Sequence, residues 1–74
     1  MRHGEAIDLT ALYETYSDLL FRTALTYMSH SEDAQDVVHD VFAVYLAKRP
    51  AFQDTSHQRA WMLRATINKC RDLQ

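Results

Sequence analysis

Residues 31–46 read Ser-Glu-Asp-Ala-Gln-Asp-Val-Val-His-Asp-Val-Phe-Ala-Val-Tyr-Leu, and their spacing decides the fold. Ala34, Val37, Val38, Val41, Phe42, Tyr45 and Leu46 recur at steps of three and four, the repeat of an amphipathic helix. Ser31 is a suitable N-cap, and Glu32 and Asp33 in the first turn complement the positive end of the helix dipole. Asp36, His39 and Asp40 stand at i, i+3 and i+4 on the opposite face and form one acidic patch. Periodicity alone also accommodates a simple solvated face.

The flanking segments extend this helix into an all-α, three-helix domain occupying residues 1–74. A first helix is expected over about 9–28, capped by Asp8 or Thr10. Its face carries Leu12, Tyr16, Leu19, Thr23 and Tyr27, with Leu20, Ala24 and Met28 beside them. Ser29-His30-Ser31 is a short link, so the first two helices should pack antiparallel. The second helix, about 32–48, stops because Pro50 disfavours helical geometry at Arg49 and lacks the N–H to continue the ladder. Lys48 and Arg49 suit its negative end. Residues 51–56 read as a loop with Phe52 as an apolar anchor. Thr55 or Ser56 should cap a third helix over about 57–73, with Ala60, Leu63, Ile67 and Cys70 as its inward stripe. No useful length alternates with the period of a strand.

Composition agrees. The 74 residues make one small domain, near the size at which a lone core supplies only about 3–5 kcal/mol. A single glycine and a single proline leave few tight turns, which favours long helices over an all-β chain. No apolar run approaches the roughly 18 residues of a membrane span, and Met-Arg-His-Gly-Glu is no signal peptide. One cysteine cannot form an internal disulfide, so a cytoplasmic location is expected.

The net charge of −2 conceals a division. Up to Ala47 there are two Arg against eight Asp or Glu, a balance of −6; from Lys48 onward six Lys or Arg face Asp54 and Asp72, a balance of +4. Such asymmetry fits an acidic surface for one partner and a basic surface for a polyanion. On the third helix Arg59, Arg64, Lys69 and Arg71 supply cations, and Asn68 can both donate and accept toward a base edge. Pattern alone leaves a solvated basic face and a nucleic-acid site as equal readings.

The wording of three segments separates them. Asp33-Ala-Gln-Asp-Val-Val-His-Asp-Val-Phe42 resembles the second conserved helix of bacterial sigma factors of the small extracytoplasmic-function group. Arg59-Ala-Trp-Met-Leu-Arg-Ala-Thr-Ile-Asn68 resembles the opening of that family's promoter-reading helix. Leu12-Tyr13 with Tyr16, Leu19 and Leu20 looks like its first helix. Together they cover nearly the whole chain in the family's order and spacing.

The resemblance implies a sigma factor region 2 domain that docks on the clamp helices of the RNA polymerase β′ subunit through Asp36, His39 and Asp40. It implies recognition of the promoter minus-ten element and stabilisation of its melted non-template strand during initiation. The loop from Arg49 to His57, which in the family can receive a flipped-out base, and Arg59, Arg64, Asn68, Lys69 and Arg71 would do this. An anti-sigma factor is a further implied partner. His39 stands where the family commonly has Gln, so docking should be pH-sensitive. The family usually continues into a linker and a second DNA-reading domain, whereas this sequence stops at Asp72-Leu73-Gln74, so an excised domain is expected.

Other readings are weaker on chemical grounds. Trp61 lies beside the apolar stripe and should pack in the core rather than wedge between bases. Cys70 reads as a small buried hydrophobe, with no histidine spaced to activate it. His3, His30, His39 and His57 are scattered, and Asp36 with His39 lacks the repeated inward carboxylates of a bundle metal site, so no metal and no cofactor are expected. Tyr13, Tyr16, Tyr27 and Tyr45 read as core-edge residues with hydroxyls reaching water. No nucleophile–base pair or phosphate loop suggests an enzyme. The rival function is a protein–protein module, a decoy or anti-sigma-binding fragment, that keeps the docking face without promoter reading.

Overall fold

A computed structural model describes residues 9–74. Three helices follow in order, α1 (Leu9–Leu25), α2 (Ser31–Lys48) and α3 (Thr55–Leu73), and the described residues contain no strand. The all-α, three-helix expectation is met. Asp8 and His3 lie outside the described residues.

The ends differ from the sequence reading by a few residues, each for a local reason. Thr10 is already helical. α1 closes at Leu25 because the N–H groups of Tyr27 and Met28 both donate to the Ala24 carbonyl at 2.9 Å, and Thr26 Oγ1 donates to the Thr23 carbonyl at 2.7 Å. This tightened turn consumes carbonyls that a longer helix would use. The cap of α2 is His30, in extended geometry and without a side-chain bond, so Ser31 is the first helical residue rather than the cap. At the other end Arg49 adopts left-handed φ 47° and ψ 55°, and its N–H donates to the Tyr45 carbonyl at 2.7 Å. Pro50 disfavours right-handed geometry there, and a non-glycine residue in this region costs about 1–2 kcal/mol.

α3 is capped by Asp54 rather than Thr55 or Ser56. Asp54 Oδ1 accepts the His57 N–H at 2.8 Å, and α3 begins two residues earlier than expected. An ionised cap also complements the dipole, which a hydroxyl does not. His57 Nδ1 accepts from the Gln53 N–H at 3.2 Å, tying the loop to the helix it precedes.

Contacts between elements set the direction of each helix. Tyr13, early in α1, meets Phe42, late in α2, with ring centroids 5.0 Å apart, so α1 and α2 are antiparallel. The Tyr16 hydroxyl donates to Gln58 Oε1 at 2.9 Å, and Gln74 Nε2 donates to the Tyr27 carbonyl at 3.0 Å. These bonds, one near each end, make α3 run in the direction of α1. The core joins Tyr16, Leu20 and Ala24 of α1 with six residues of α2 and with Met62 and Cys70 of α3.

Three expectations about burial are corrected. The inward stripe of α3 is Met62, Thr66 and Cys70; Ala60 is exposed, and Leu63 and Ile67 are half-buried. The helix is rolled toward Thr66, whose hydroxyl donates to the Met62 carbonyl at 2.8 Å and so enters the core without an orphaned donor. Hydrophobicity counting gives such a threonine no weight. Tyr16 and Tyr45 are buried rather than at the core edge. Leu46, placed on the apolar face of α2, is exposed. Phe52 does anchor the loop: it stacks on Tyr45 at 6.2 Å, and Trp61 meets both rings edge-on at 5.9 and 6.1 Å. Trp61 packs against the core, as expected.

Candidate nucleic-acid interface

Between α2 and α3 lies a groove of about 340 Å³. From α2 it takes Asp40, Val41, Val44 and Lys48, and from α3 Trp61, Arg64, Ala65, Asn68 and Lys69. Asp40, Val44 and Lys48 follow one another at four-residue steps, as do Trp61, Ala65 and Lys69, so each wall is one strip of its helix. The small side chains Val44 and Ala65 fall midway along the two strips. The groove therefore has an apolar floor, an aromatic ring and three cations against one carboxylate.

Of the expected DNA-contacting residues, the fold brings together Arg64, Asn68 and Lys69. Arg71 lies outside the groove, three residues beyond Asn68 on the strip that Arg64 and Asn68 share. Arg59 is exposed about 140° around the helix from Arg64, on another face. Arg49 stands in the loop at the end of α2, where its Nε donates to the Leu46 carbonyl at 3.3 Å. Lys48 belongs to the groove although its position in the sequence suggested only a complement to the α2 dipole. The strip Asp40-Val44-Lys48 was the available signal, hidden because a helix exposes several such strips at once.

The acidic face is less separate from the basic one than its spacing implied. Asp36 and His39 are exposed. Asp40 instead reaches the seam and pairs with Lys69, Oδ2 to Nζ 3.3 Å. With side-chain exposures of 50 % and 37 %, this pair is worth at most about 1 kcal/mol. His39 Nε2 lies 3.4 Å from Gln35 Nε2, and Gln35 Nε2 also donates to the Tyr13 hydroxyl at 3.4 Å. Cys70 is fully buried, and that burial pushes its thiol above the ordinary value, away from the reactive thiolate. The described residues contain no group of three or more metal-ligating side chains.

The family model of sigma-70 region 2 matches residues 12–73. The chain belongs to that family, a non-enzymatic domain of transcription initiation factors that takes part in polymerase binding and promoter melting. No curated protein and no solved structure matches the chain. No helix among the described residues is long and apolar enough to cross a membrane.

Proposed function

We propose that this domain docks on the β′ clamp helices of RNA polymerase through Asp36, His39 and Asp40, and holds the melted non-template strand of the minus-ten element with α3 and the loop preceding it. The single observation that carries the proposal is the groove that gathers Arg64, Asn68 and Lys69 beside Trp61. Cations on phosphates supply affinity and position, while a side-chain amide offers a base its lost hydrogen bonds. Arg71 continues the strip of Arg64 and Asn68 beyond the groove, while Arg49 and Arg59, away from it, would meet other parts of the bound DNA. No bond need be made or broken: the domain works by binding open DNA better than duplex. Its place of action is the cytoplasm, and an anti-sigma factor is a natural competitor for the same faces.

The DNA half of the proposal is tested with a labelled bubble duplex and its fully paired counterpart. The bubble should bind more tightly, with a steep dependence on salt, and Arg64→Ala or Lys69→Ala should weaken it. Equal affinity for the two DNAs would overturn the melted-strand reading.

A further inference from the structure

The cation that sequence reading left outside the site is Lys48. It is exposed, it lines the groove from α2, and it has no ion pair among the described residues, whereas Lys69 across the groove is held by Asp40. Arg64 is likewise exposed and has no ion pair among the described residues. The two unneutralised cations come from different helices and flank one apolar-floored groove. Neither side chain has a carboxylate partner among the described residues, so an anion held between the two helices would neutralise both. We propose that Lys48 is a phosphate-binding residue which, with Arg64, clamps the backbone of a bound strand from both sides of the groove.

This deepens the promoter-strand reading and rests on it. The plainer role for Lys48 is to complement the negative end of α2, a role that affects stability and leaves the salt dependence of DNA binding untouched. The two roles therefore part in a single measurement. Counterion release gives each phosphate contact on a single strand a slope of about −0.7 in the logarithm of affinity against the logarithm of salt concentration.

The experiment titrates this chain with a labelled single-stranded oligonucleotide of mixed sequence between about 50 and 200 mM salt, the range over which phosphate contacts weaken steeply. Lys48→Gln should lower the magnitude of the slope by about 0.7 and weaken binding about eightfold at the lowest salt. Lys48→Arg should restore both, and Arg64→Gln serves as the parallel case. If Lys48→Gln keeps the parent slope while Arg64→Gln lowers it, the Lys48 assignment is overturned and the promoter-strand reading stands. If the unaltered chain does not bind the strand at all, both fall together.

Discussion

α2 and α3 are nearly equal in length, 18 and 19 residues, yet α2 buries six residues and α3 buries three. In α2, Ala34, Val37, Val38, Val41, Phe42 and Tyr45 fill a broad buried face. α3 is held along a narrow strip, Met62, Thr66 and Cys70, with a bond between Gln58 near its start and Tyr16 of α1, and one from Gln74 just beyond its end to the turn that follows α1. The difference shows how a small domain divides its labour. A helix attached by a few fully buried residues keeps most of its circumference free for cations and polar groups, and that is the helix on which the groove is built.

The sharpest way to break this comparison is at the narrow strip. Met62 is fully buried, and its replacement by Ala should cost about 2–5 kcal/mol. In a chain of this size that is comparable with the whole stability, so Met62→Ala should be largely unfolded by circular dichroism. Retention of a cooperative melt close to that of the parent would mean that α3 is held by its exposed contacts, and the comparison would fail. A smaller effect sharpens the account at the seam. A double-mutant cycle on Asp40 and Lys69, read by denaturant unfolding, should give a coupling of about 0.2–1 kcal/mol, appropriate to a partly exposed pair. A coupling well above that range would make the pair a structural clamp between the helices.

The same contrast explains what was legible in the sequence. α2 carries its meaning in apolar periodicity, and six of the seven residues placed on its inward face are buried. α3 was foreseen as a helix, but its inward stripe was misplaced because Thr66 enters the core by satisfying its own hydroxyl. Caps were the least legible feature. Ser31, Thr55 and Ser56 are all good capping residues, and the choice of His30 and Asp54 was made by the backbone path through the turns. Within the candidate site Arg64, Asn68 and Lys69 were legible as chemistry. Their juxtaposition with Asp40 and Lys48 was not, because it depends on how two helices are rolled against each other, and local spacing does not specify that.

The central claim is that the acidic face of α2 is a docking surface for polymerase while the groove it shares with α3 serves DNA. The most direct test is a titration of this chain with the isolated segment bearing the β′ clamp helices, alongside the Asp36→Ala/Asp40→Ala double variant. The account predicts saturable binding by the parent chain and a loss of roughly tenfold in the variant, as expected for two surface ion pairs lost together. Absence of binding by the folded parent, or equal affinity in the variant, would contradict it.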